Sequence, residues 1–233
     1  MTLQRYATTA GVARGAPAGR PGGAVRAVPA GLAPVVRDLR ARAGRGPRGL
    51  RFAAGDVVVV SGLPGSGKST LIRRVVTTAH AVDSQDVRDR WARAVPRLLP
   101  YALYRPLVRL DHYWGLWRLL RSGESAVVHD CGTQSWVRGW LARAARRRGR
   151  LLHLVLLDVD PQTAREGQRE RGRGVSAYAF ARHRRAVGRL LAATADGVLP
   201  AGCASAVLLD REAAGRIGRI VFTADRARAG DGR

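Results

Sequence analysis

Nine consecutive residues, Gly62-Leu63-Pro64-Gly65-Ser66-Gly67-Lys68-Ser69-Thr70, carry the most specific chemistry in the chain. They fit G-x-x-x-x-G-K-[ST], the pattern of a phosphate-binding loop. Gly62, Gly65 and Gly67 can take dihedrals forbidden to residues with a Cβ, so that successive N–H groups point inward at an anion. A helix beginning near Lys68 adds its positive end to that nest. The Lys68 ammonium then reaches the β- and γ-phosphates of a nucleoside triphosphate, and the Ser69 hydroxyl is placed to bind Mg²⁺. Lys68 is also the only lysine in the chain, in a background where arginine supplies every other strong base. A site that keeps lysine there calls for a compact ammonium, not a broad planar fork.

That loop works only between a strand and a helix, and the flanking sequence supplies both. Residues 56–61 contain an unbroken valine run, the mark of a strand buried on both faces. Residues 70–79 read as the following helix. Further strands are expected at 81–82, 126–129, 151–158 and 206–209. Helices are expected at 87–95, 136–148 and 178–193, with an Arg-rich helix after the fourth strand and 212–222 closing the fold. Such alternation predicts an α/β fold: a three-layer P-loop NTPase sandwich with a five-stranded, mainly parallel sheet and helices on both faces. Residues 1–45 form a basic Gly/Ala/Pro/Arg-rich arm, expected to be largely disordered, with one short helix over Pro34–Ala43. The folded domain is expected over 46–223, and 224–233 reads as a flexible tail.

Several charged residues stand where strands end. Asp130 closes the strand at 126–129 and could hold Mg²⁺ through water or orient a substrate; a loop or capping role is the plainer alternative. Asp83 has the same ambiguity, because Asp-Ser before a helix is also capping chemistry. His129 reads as a packed strand residue. Asp210 and Arg211 could flank a nucleotide base.

With the loop Gly62–Thr70, the stretch Val82-Asp83-Ser84-Gln85-Asp86-Val87-Arg88 and the stretch Arg171-Gly172-Arg173-Gly174-Val175, the chain resembles the small P-loop kinases. That group contains polynucleotide 5′-kinase, zeta toxin, gluconate kinase and chloramphenicol phosphotransferase. The likeness runs from about Gly49 to Phe222. It implies ATP and Mg²⁺ as cofactors and transfer of the γ-phosphate to a hydroxyl of a small-molecule or nucleotide-like acceptor. It also implies an Asp after the second strand that holds the acceptor hydroxyl and can take its proton. Asp86 best matches this role and Asp83 is its rival. Arg88 would clamp an anionic group of the acceptor. Arg171 matches the arginine of a lid over about 162–176, with Arg169 and Arg173 as helpers that stabilise transferred charge. Where relatives place another arginine four residues earlier, this chain has Gly167, unless Arg165 or Arg169 substitutes.

Composition sets the remaining bounds. The net charge is +24, but nearly all of it is arginine in an Ala/Gly/Val-rich chain, a pattern of GC-rich coding that weakens charge as a clue to partners. Nucleic acid is therefore allowed as a partner but not required. No apolar run reaches the length of a membrane span and no signal-type core begins the chain, which suggests a cytoplasmic protein. The two cysteines are too few for a disulfide framework. An aromatic, Arg-studded insert over about 91–122 reads as helical pieces broken by Pro100 and Pro106. It has three readings: core helices packed on the sheet, an acceptor-binding cap, or an amphipathic surface resting on anionic membrane. Besides a kinase, two other functions fit: an ATPase or nucleotide-dependent switch without transfer, and a nucleic-acid 5′-end kinase.

Overall fold

The computed structural model describes residues 35–76, 80–82, 84–95, 101–130, 135–170 and 175–224. The expected arm up to residue 34 and the tail from 225 lie outside the described residues.

The valine run does what its composition demands. It forms β3 (Val57–Gly62), with every residue buried, at the interior of a six-stranded parallel sheet. Each fully buried valine is worth about 1.5–3 kcal/mol, so this strand anchors the fold. On one side β3 pairs with β5 (Ala126–His129), which pairs in turn with the edge strand β4 (His80–Val82). On the other side it pairs with β6 (Leu152–Leu157), followed by β7 (Ser205–Leu209). All five expected strands are therefore present.

A sixth strand was not expected. Val35–Asp38, inside the segment read as a short helix, is β1, and it pairs in parallel with β7 through Val35↔Ser205 and Asp38↔Leu208. The helix expectation is corrected, and so is the domain boundary at 46. Without β1 the inner strand β7 would present an unpaired edge; two β-branched valines fill it, and Leu39 follows into the core at 3% exposure. A separate parallel pair joins β2 (Gly49–Ala53) to β8 (Arg219–Thr223).

Alternation along the strands divides the core into two layers. Val58, Val60, Val155 and Leu157 face α1 (Lys68–Val75), α6 (Ala177–Ala195) and α7 (Arg211–Arg216). Val57, Val59, Leu154 and Leu156 face α3 (Tyr101–Ser122) and α4 (Ser135–Arg146). Helices α2 (Ser84–Ala94) and α5 (Pro161–Arg169) complete the set. The aromatic insert is not broken at Pro106: α3 runs for 22 residues with that proline inside. A proline this close to the start removes one backbone donor, while the later turns are held by buried Val108, Leu116 and Leu120.

At the amino-terminal edge of the sheet, Asp56, His153 and Ser205 form a polar chain beneath the core. His153 hydrogen-bonds with Asp56 Oδ2 at 3.0 Å and Ser205 Oγ at 2.8 Å, and Leu151 N–H donates to Asp56 Oδ1. Phe52 lies against the imidazole. Every member has partners, so buried Asp56 and His153 and half-buried Ser205 tie three strand starts together.

Candidate functional site: a phosphate loop at the carboxyl edge

From β3 the chain moves outward to β4, returns through β5 and crosses to β6 on the other side. The reversal leaves a crevice outside the carboxyl end of β3, where open parallel sheets bind ligands. The loop Gly62–Thr70 occupies that position. Gly62, Gly65 and Gly67 take φ of 151°, 86° and 91°, as the cradle requires. A Cβ at Gly62 would stand 2.8 Å from the Leu157 carbonyl oxygen, because β6 runs alongside. Gly67 caps α1 with no side-chain hydrogen bond, leaving the first-turn N–H groups facing the loop.

Lys68 is 3% exposed, and its ammonium donates to the carbonyls of Gly62 at 2.9 Å and Leu63 at 2.7 Å. The loop's own backbone thus holds the charge at the mouth of the cradle. The Ser66 hydroxyl is buried with no hydrogen-bond partner, a feature expected of a polar atom aimed at a ligand. Ser69 is half-buried in the first turn of α1, and Thr70 is exposed. Leu63 is buried and Pro64 half-buried.

Asp130 lies beside this loop. Its N–H donates to the Val60 carbonyl at 2.9 Å, and its Oδ2 accepts from Ser61 Oγ at 3.3 Å and from Arg138 Nη1 at 3.0 Å. The Asp130 and Arg138 side chains are 9% and 8% exposed. Sequence reading missed both Ser61 and Arg138. Arg138 sits between the core residues Val137 and Leu141, a position on the apolar face of α4 that could have marked it.

The other expected residues divide by position. Asp86 and Arg88 lie on α2, which starts at the carboxyl end of β4, on the β5 side of the loop; their side chains are outside the described residues. Asp83, Arg171 and Arg173 also lie outside them. Arg169 is exposed near the end of α5. Arg165 stacks its guanidinium 4.7 Å from the centre of the Phe180 ring.

Gly167 has a packing reason. A Cβ there would stand 2.8 Å from the Gly65 carbonyl oxygen, and one on Gly65 would stand 1.9 Å from the Ala164 carbonyl oxygen. Backbone meets backbone where α5 backs the phosphate loop, and an arginine at 167 has no room to start.

A second unforeseen group lines the same edge. Arg40 donates to Asp38 at 2.6 Å and to Asp158 at 2.7 Å, and Ala41 N–H donates to Asp210. Asp158 follows Leu157, the partner of Gly62, so Arg40 carries β1 to the strand beside the loop. The Arg40 hydrogen bond holds the Asp38 carboxyl below the usual range. Asp210 caps α7 by accepting from Ala213 N–H at 2.7 Å.

Among the described residues no group of three or more His, Cys, Asp or Glu could hold a metal. The side-chain oxygens described at the loop include those of Ser61, Ser66, Ser69 and Asp130.

A family model described as an AAA domain matches residues 57–194. Among solved structures, a candidate kinase from Chloroflexus aurantiacus j-10-fl is 14% identical with a TM-score of 0.46, over 66% of this chain and 84% of that one. A gluconokinase from Sinorhizobium meliloti 1021 is 18% identical with a TM-score of 0.42, over 71% and 90%. The tunicamycin resistance protein of Deinococcus radiodurans is 14% identical with a TM-score of 0.36, over 58% and 80%. No curated protein matches the sequence.

Proposed function

The chain belongs to the AAA domain family of P-loop proteins, and from that premise we propose that it is a kinase that moves the γ-phosphate of ATP to a hydroxyl of a small-molecule or nucleotide-like acceptor. The observation that carries this reading is the cradle itself: three positive-φ glycines, the first turn of α1 and the buried Lys68 ammonium, all at the carboxyl edge. Backbone N–H groups hold the phosphate chain, and Lys68 exchanges its two carbonyls for β- and γ-phosphate oxygens.

The acceptor oxygen forms a bond to the γ-phosphorus as the bond to the β-bridging oxygen breaks, and ADP leaves with that electron pair. The hydroxyl proton goes to a carboxylate after β4, either Asp86 or Asp83, and Arg88 holds an anionic group of the acceptor. Arg171, with Arg169 and Arg173, closes over the transferred group from the lid. Ser69 would hold Mg²⁺, with Asp130 reaching it through water; the ion supplies charge neutralisation on the phosphoryl oxygens.

A second reading, a nucleotide-binding switch without transfer, draws on the Arg138–Asp130 pair, which neutralises the one carboxylate described beside the loop. Calorimetry with Mg²⁺·ATP, followed by mass spectrometry of a panel of hydroxylated metabolites and 5′-hydroxyl oligonucleotides, separates the two. Binding with a phosphorylated product supports the kinase. Binding without product or ADP supports the switch, and the absence of ATP binding removes both.

A further inference from the structure

Helix α3 is apolar on two sides. One side carries Val108, Leu116 and Leu120, at 5%, 0% and 6% exposure, into the core. The other carries Leu103, Leu107, Leu110, Trp114 and Trp117, exposed at 65%, 49%, 65%, 59% and 36%. Their alternating steps of four and three residues keep them on one face, a stripe about 21 Å long at 1.5 Å per residue. Exposed apolar residues scattered singly need no explanation, but a continuous row of leucine and tryptophan does.

The surroundings of the stripe say what covers it. Trp114 and Trp117 stack at 4.9 Å, and the Arg121 guanidinium lies 4.6 Å from the centre of the Trp117 ring. Arg109 and Arg118 on the same helix are also exposed. The only acid on the helix, Asp111, is engaged by Arg90 at 2.7 Å and by Trp91 Nε1 at 2.8 Å. From α4, Trp136 extends the surface at 60% exposure, packed against Tyr113. Among the described residues the patch thus joins leucine, tryptophan and arginine and offers no unengaged carboxylate. A second copy is a poor occupant, because each chain carries +24 and would bring arginine to arginine. A protein helix at such a seam is normally gripped by flanking charges of both signs, and on α3 the one acid, Asp111, is already taken by Arg90 and Trp91.

We propose that α3 lies in the interfacial layer of an anionic lipid surface, with its leucines and tryptophans at the acyl boundary and Arg109, Arg118 and Arg121 at the headgroups. The helix rests on the bilayer and does not span it; among the described residues no helix is long and apolar enough to cross a membrane.

Because a chain this basic will adhere to any anionic vesicle, the test holds charge constant. The full chain is sedimented with vesicles of phosphatidylcholine alone and of equal parts phosphatidylcholine and phosphatidylserine, and its mass in solution is measured by ultracentrifugation. The double variant Leu110→Ser/Trp114→Ser removes two exposed stripe residues, while Val198→Ser removes an apolar side chain exposed at 60% elsewhere. The expected result is binding to the phosphatidylserine vesicles with a blue shift of tryptophan emission. The double variant should bind at least about tenfold more weakly, and Val198→Ser as tightly as wild type. Leu103→Ser alone, with an unchanged melting curve, should weaken binding in the same direction. Equal binding by wild type and the double variant would mean that charge alone acts, and would overturn the proposal. So would a dimer that the double variant dissociates, or a monomer that ignores vesicles.

Discussion

Gly167 on α5 lies so close to Gly65 in the phosphate loop that a single added carbon would stand 2.8 Å from the Gly65 carbonyl oxygen. The neighbour is backbone and has little room to retreat, so Gly167→Ala should destabilise the fold. Overpacking typically costs about 1–3 kcal/mol, against roughly 1 kcal/mol gained from the better helix propensity of alanine. Relief by moving the loop would also loosen the cradle. Urea denaturation should give a lower midpoint and calorimetry a weaker ATP affinity. Gly67→Ala makes the contrast: space around it is open, and only its φ of 91° is strained, so the stability loss should be about 1–2 kcal/mol.

Lys68 should tolerate no substitute. Its ammonium donates to two carbonyls in a site 3% exposed, which suits a compact point charge. Arginine brings a planar fork too broad for that space. Loss of a charged hydrogen bond to phosphate is worth about 1.5–3 kcal/mol, or roughly 10–100-fold in affinity. Both Lys68→Ala and Lys68→Arg should therefore weaken ATP binding by at least that much in calorimetry. Wild-type affinity in the arginine variant would refute the role given to the compact ammonium.

What could be read beforehand was governed locally. The loop was legible because the backbone near phosphate admits only certain residues. The strands β3, β5, β6 and β7 were legible because inner parallel strands must be apolar on both faces. The state of Val35–Asp38 was not, since a four-residue segment takes it from β7, whose residues lie far along the chain. Arg138 was hidden by its own kind: in a helix full of arginines, only the position between Val137 and Leu141 distinguishes the buried one. Gly167 looked like an arginine lost from a lid, whereas its smallness is what the loop behind it requires.

Acid should separate Arg40→Gln from wild type in a defined window. The Arg40 side-chain hydrogen bond is the main reason that the Asp38 carboxyl ionises more readily folded than unfolded. Such a group stabilises the fold fully above its unfolded pKa of about 3.9, and the contribution disappears as pH falls through the lower folded value. The Asp38 side chain is 46% exposed, so screening limits the effect to about 0.2–1 kcal/mol. Melting temperatures should differ modestly at pH 6 and begin to converge only as pH falls below about 4. A gap that persists unchanged into strong acid would contradict this account.

Cys203 should resist alkylation in the folded protein. Burial pushes its thiol up to about 11, so at pH 8 it carries almost no thiolate, the form that reacts. Peptide mapping after iodoacetamide treatment should find Cys203 unmodified until denaturant is added.

The pair formed by Asp130 and Arg138 is the costliest polar contact to break near the loop. Both side chains are more than nine-tenths buried, and Asp130 also accepts from Ser61. Removing one partner leaves a charge without water or counter-charge, which typically costs about 3–5 kcal/mol. Asp130→Ala and Arg138→Ala should each lower stability by roughly that amount. The double variant should cost less than the sum, because the second change removes the orphan left by the first. Catalysis divides the pair differently. If Asp130 acts at Mg²⁺, Asp130→Asn, which keeps an acceptor for Arg138 but not its counter-charge, should lose less stability than Asp130→Ala and raise the Mg²⁺ concentration needed for turnover. Arg138→Met should free the carboxylate and shift that requirement the opposite way in whatever fraction folds. Identical Mg²⁺ titrations for wild type and both variants would assign the pair to the fold alone.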